Sequence, residues 1–115
     1  MPQNKFALAR YYLIDNLLRK HSYVKSVRMV EYCCQVTGYR VSRRTIQMDI
    51  ETMKNDPFLG FHAPIGYCHK MKAYYYAEPD YQLLPFSFTE EEVCFLERLL
   101  NTYRSRLLPE EIECM

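Results

Sequence analysis

Apolar periodicity breaks three times in the first 57 residues, at His21–Lys25, at Gly38–Ser42 and at Pro57. These breaks leave three short segments, none of which can be a long helix. Each segment carries one apolar stripe, and such stripes must bury on one another. A helix bundle is the simplest outcome, and the 115-residue length suits a single domain. No apolar run approaches the ~20 residues of a membrane helix. Met1–Arg10 lacks the apolar core of a signal peptide. Membrane-embedded and secreted classes are therefore not expected.

The first segment, Phe6 to Lys20, spaces Leu8, Tyr12, Leu13, Leu17 and Leu18 as one helical face. Arg10, Asp15, Arg19 and Lys20 fall off that stripe. In the second segment Ser26 is a candidate N-cap. Val27, Val30 and Cys34 form its expected buried stripe, and Gly38 suits the left-handed residue that ends a helix. The third segment has the strongest local grammar. Ser42 is the expected N-cap, and Val41 and Ile46 sit at hydrophobic-staple spacing. Ile46, Ile50 and Met53 define the buried face, and the helix is expected from Arg43 to Asn55.

The other face of that third helix is chemically unusual. At about 100° per residue, Arg44, Gln47, Met48 and Glu51 point away from the core, flanked by Arg43 and Lys54. The helix dipole disfavours cations in a first turn by a few tenths of a kcal/mol each. Arg43 and Arg44 occupy that turn. An external phosphate removes the misfit, because free N–H groups, the dipole and both guanidinium groups then share one anion. The alternative is that both arginines simply extend into water.

Ala63–Cys68 and Ala73–Ala77 read as two short strands rich in aromatic and β-branched residues. His69-Lys70-Met71-Lys72 is the tip between them, and Phe58 to Gly60 turns the chain before them. The tyrosine run 74–76 is expected to alternate between packing inward and covering the sheet. Beyond Glu78 the composition turns acidic. Residues 1–44 hold nine Lys or Arg against two Asp or Glu, and residues 45–115 hold six against twelve. A basic half of this kind is suited to an anionic partner. Thr89-Glu90-Glu91-Glu92 is a capping box. The helix it opens carries Val93, Leu96, Leu100, Tyr103 and Leu107 as a heptad-like seam, which either packs on the domain or pairs with a second copy. Pro109-Glu110-Glu111-Ile112 reads as the start of a further helix.

Five cysteines at 33, 34, 68, 94 and 114 include no C-x-x-C pair, and the three histidines complete no ligand set. Free thiols in a reducing cytoplasm are expected, with no metal and no cofactor. No Ser/His/Asp, Cys/His or Gly-rich phosphate-loop arrangement is present, so an enzyme is not expected.

Three short helices followed by a two-stranded hairpin is the order of a winged helix-turn-helix, here followed by a C-terminal linker helix. The expected class is thus mainly α with a small β hairpin. In that motif the third helix enters the major groove and the wing meets the backbone. The stretch Val41-Ser-Arg-Arg-Thr-Ile-Gln-Met-Asp-Ile50 resembles the recognition helix of DeoR-like winged helices. The order Pro64-Ile65, Tyr74-Tyr75-Tyr76, Leu84-Pro85, Thr89-Glu90-Glu91-Glu92 is similar to the N-terminal part of WYL-domain transcriptional regulators. The resemblance covers about residues 5 to 107. It implies a cytoplasmic, sequence-specific, double-stranded DNA-binding regulator, usually a homodimer. It also implies a C-terminal ligand-sensing domain, which this sequence does not contain. The expected division is a DNA-binding domain over 1–78 and an acidic linker and helix over 79–115.

Carried onto these positions, the resemblance puts Ser42, Arg43 and Thr45 on phosphates. Arg44 and Gln47 reach base edges, since Arg pairs with guanine and Gln with adenine. Relatives often carry Arg or Lys where this chain has Met48. An apolar group there suits a thymine methyl. Lys70 and Lys72 belong to the wing. Asp49 lies beside the buried stripe and is expected to bond a neighbouring element. The competing expectation is a winged-helix interaction or dimerisation module without specific DNA binding.

Overall fold

The computed structural model describes residues 6–57, 60–84 and 88–114, with side chains described as far as residue 102. Three helices, α1 (Ala7–Lys20), α2 (Ser26–Thr37) and α3 (Arg43–Asn55), precede an antiparallel hairpin of β1 (Ile65–Cys68) and β2 (Ala73–Tyr76). A long helix, α4 (Glu90–Cys114), follows. The expected class and order are therefore present. Leu13, Ile14, Met29, Cys33, Ile46 and Met53 form the centre of the core, which α1, α2 and α3 share.

The caps of α3 follow the sequence grammar. Ser42 Oγ accepts the Thr45 N–H at 3.1 Å, which satisfies one of the free first-turn donors. Val41 and Ile46 are buried on either side of that cap. Gly38 ends α2 at φ 77°, a conformation open to glycine without a Cβ penalty, and its N–H reaches the Cys34 carbonyl. Thr89 and Glu92 exchange both bonds of the capping box, at 2.9 and 3.1 Å.

Several expectations are corrected. Lys25, not Ser26, is the N-cap of α2, and no side-chain cap bond forms there. The buried face of α2 is Met29, Tyr32, Cys33 and Thr37, while Val27 is exposed. Apolar residues flank the exposed polar stripe of Arg28, Glu31 and Gln35 on both sides, so periodicity alone does not select which flank α1 and α3 cover. Arg10 and Asp15, though off the apolar stripe, are buried, because each meets a charged or hydroxyl partner from another element. Arg10 forms a fork with Asp49 on α3, at 2.6 and 3.1 Å. Asp15 accepts from Arg19, from the Tyr76 hydroxyl at 2.7 Å and from the Leu83 N–H at 3.3 Å. That fork gives Asp49 its expected neighbouring partner. Burial pushes its carboxyl above the ordinary value, against the pull of Arg10.

The break between α1 and α2 is also more than a turn. Val24 pairs with Tyr74 through two backbone bonds of 2.8 Å, so β2 is flanked on both edges. This pins the wing to the helical bundle. On the hairpin, Ile65 faces Tyr76 and Tyr67 faces Tyr74 on one side of the sheet. Tyr75 covers Gly66 on the other, so closely that a Cβ at Gly66 would lie 2.6 Å from its ring.

Helix α4 packs on α1 and α2 through Val93, Cys94 and Glu97. The Glu97 carboxylate accepts the Ala9 N–H at 2.8 Å and so caps α1 from 88 residues away. Phe6, the N-cap residue of α1, has no side chain that could do that work. Leu96 and Leu100 of the expected seam remain exposed. The helix runs through Pro109 without restarting, so the expected separate helix is absent. A proline forfeits one backbone bond, and 25 residues of helix absorb that loss. The turn at Phe58–Leu59, Pro85 of the quoted pattern, and the side chains of Tyr103 and Leu107 lie outside the described residues.

Candidate nucleic-acid interface

The start of α3 is built by its cap and staple, which aim its first turn outward. Ser42, Arg43 and Arg44 are exposed, and Thr45 is half-buried with its hydroxyl 3.0 Å from Ser42 Oγ. One turn on, Gln47 is exposed and Met48 keeps 52% of its surface. Ile46, Asp49, Ile50 and Met53 hold the opposite face in the core. The six predicted side chains 42–45, 47 and 48 are therefore gathered on one outward surface. Neither Arg43 nor Arg44 has an ion-pair partner among the described residues.

Lys70 and Lys72 sit apart from that helix, on the exposed tip of the hairpin. Lys72 closes the tip in the left-handed region, at φ 54°. This replaces the glycine that a two-residue turn would use. The charge of Arg43 is felt by the Tyr74 phenol on β2. Burial raises that phenol above its ordinary value, and Arg43 opposes the rise.

Residues 6–77 match the family model for the N-terminal winged helix domain of WYL domain-containing proteins. The chain belongs to this family. No curated protein and no solved structure matches the chain. The winged helix domain ends, in this match, one residue beyond β2, and α4 lies outside it.

Sequence reasoning missed several residues around this surface of the winged helix domain. Tyr67 is 42% exposed, and its ring lies edge-on to Tyr74 at 5.0 Å and to His69 at 5.1 Å. The alternation of β1 carries the signal that would have found it, since Tyr67 shares a face with buried Ile65 yet lies nearer the tip. Tyr39, 48% exposed, stacks on Phe6 at 4.8 Å beside the turn into α3. The first turn of α2 carries exposed Arg28, which lies over the Tyr32 ring at 5.6 Å.

No group of three or more His, Cys, Asp or Glu that could hold a metal occurs among the described residues. The buried thiol of Cys33 is pushed up to about 12 by its apolar surroundings. It lacks the electropositive, accessible setting of a reactive cysteine. No described helix is long and apolar enough to cross a membrane.

Proposed function

We propose that the chain reads double-stranded DNA as the sequence-specific module of a transcriptional regulator. Helix α3 enters the major groove and the wing lies on the adjoining backbone. The observation that supports this reading most is the first turn of α3, where two arginines with no ion-pair partner among the described residues are held outward at the end of a helix that prefers anions. Ser42, Arg43 and Thr45 contact phosphates. Arg44 and Gln47 meet base edges, Met48 touches a thymine methyl, and Lys70 and Lys72 add backbone contacts from the wing. The domain over 1–78 carries these contacts, and 79–115 serves as linker and dimerisation element.

The double substitution Arg43→Ala with Arg44→Ala tests the assignment. On a duplex selected for tight binding, the variant loses at least about tenfold in affinity while its circular dichroism is unchanged. Unchanged binding overturns the recognition-helix assignment.

The partner of α4 in this reading is a second copy. Phe95, Leu96, Leu99 and Leu100 form a continuous exposed apolar arc. It borders a groove of about 160 Å³ lined by Leu8, Tyr12, Leu84, Phe88 and Val93 among others.

A further inference from the structure

On the reading that the chain binds duplex DNA, we infer that Glu97 is a positioning residue for α3, through which α4 holds the angle of the reading helix. The N-cap of α1 supplies no side-chain bond, since Phe6 sits there in the left-handed region at φ 63°. The Ala9 N–H is one of the donors that a helix start leaves without an intrahelical partner. Glu97 of α4, itself 5% exposed, accepts it at 2.8 Å. The next residue is Arg10, whose guanidinium forks onto Asp49 of α3 at 2.6 and 3.1 Å. A single turn of α1 thus receives α4 through Ala9 and grips α3 through Arg10.

Helix α4 is seated for this role. Glu90, Cys94 and Glu97 follow at steps of four and three, which puts them on one face. The Tyr32 hydroxyl of α2 donates to Glu90, and the Cys94 thiol donates to the Val36 carbonyl of α2 at 3.3 Å. The Tyr12 hydroxyl of α1 accepts the Phe88 N–H at 2.6 Å, just before α4 begins. Without Glu97 the buried Ala9 N–H is left unsatisfied, and the first turn of α1 opens to find water. Arg10 moves with that turn, and the fork on Asp49 is lost. The consequence for DNA is selective. Phosphate contacts tolerate a small tilt of α3, whereas base-edge contacts do not. Helix α4, which lies outside the residues of the family match, is therefore part of the reading unit.

The test uses the full chain with two fluorescent duplexes, one carrying its selected site and one scrambled, at a temperature where circular dichroism shows the variants folded. Glu97→Ala weakens binding to the selected duplex about tenfold, the effect of one buried donor left unmade, and leaves the scrambled duplex unchanged. Glu97→Asp keeps the charge, withdraws the acceptor by one methylene and shows the same selective loss, so the test stands even if Glu97→Ala does not fold. Glu97→Gln keeps an oxygen at the same reach and restores most of the affinity. All three retain the wild-type salt slope, because no cation is removed. In the free protein the Arg10 Nε–H, followed by NMR, exchanges with solvent faster in the Asp variant than in the wild type, and the Gln variant restores the wild-type rate. Wild-type affinity in folded Glu97→Asp, an equal loss on both duplexes, or unchanged Arg10 exchange overturns the inference and leaves the DNA reading standing. A wild-type chain that binds no duplex overturns both.

Discussion

Arg10 and Asp49 form the one fully desolvated ion pair among the described residues, with side chains 7% and 6% exposed. It bolts α1 to the back of α3, so the orientation of the face proposed to read DNA depends on it. Removing one partner leaves an uncompensated buried charge. Asp49→Ala should therefore cost roughly 3–5 kcal/mol in urea unfolding. Replacing both with apolar residues of similar volume, Arg10→Met with Asp49→Leu, should recover most of that loss. A double variant no more stable than Asp49→Ala would contradict this account of the pair. Asp49 was legible in sequence, because its own helix pattern put a carboxylate beside the buried stripe. Arg10, Asp15 and Glu97 were not. The partners that draw them inward from other elements lie 39, 61 and 88 residues away, beyond the reach of any local periodicity.

Elements whose signals are local were readable. Ser42 with Thr45, Gly38, and Thr89 with Glu92 each satisfy helix-end groups within a few residues. The boundaries of α3 follow from them. The hairpin was readable from its aromatic strands, but its anchoring was not, since the Val24–Tyr74 pairing joins the strand to a segment 50 residues earlier. Helix α2 defeated periodicity because its apolar residues lie on both flanks of the polar stripe Arg28, Glu31 and Gln35, and only one flank is buried. In α4 the seam and the buried face diverge. The domain takes Val93, Cys94 and Glu97, and the arc from Phe95 to Leu100 is left outside. That division is what a helix needs to serve two surfaces at once. Leu96→Glu with Leu99→Glu should convert a dimer into a monomer in sedimentation velocity at tens of micromolar, with the helical spectrum retained. A wild-type chain that sediments as a monomer at the same concentration would contradict the α4 pairing.

Across the whole molecule, buried acids make the fold sensitive to alkali. The folded Cys33 thiol holds its proton up to about 12, while an unfolded thiol releases it near 9. Burial and the Asp15 carboxylate raise the Tyr76 phenol, and burial and Glu90 raise that of Tyr32. Between pH 9 and 12 the folded state binds more protons than the unfolded state, so stability falls as pH rises. The slope reaches about 1.4 kcal/mol per pH unit for each retained proton. Urea midpoints that stay flat from pH 8.5 to 10.5 would contradict this. The same molecule keeps its positive charge where the proposed function needs it, with nine of its fifteen Lys and Arg in residues 1–44. The central claim is that this charge meets phosphates, and fluorescence anisotropy of a ~30-base-pair duplex titrated at several salt concentrations tests it most directly. The account predicts binding that weakens linearly on a log–log plot, with a slope of about −0.9 for each phosphate neutralised. Contacts from Arg43, Lys70 and Lys72 alone set a slope of about −3 per bound chain. No binding at low salt, or binding indifferent to salt, would contradict it.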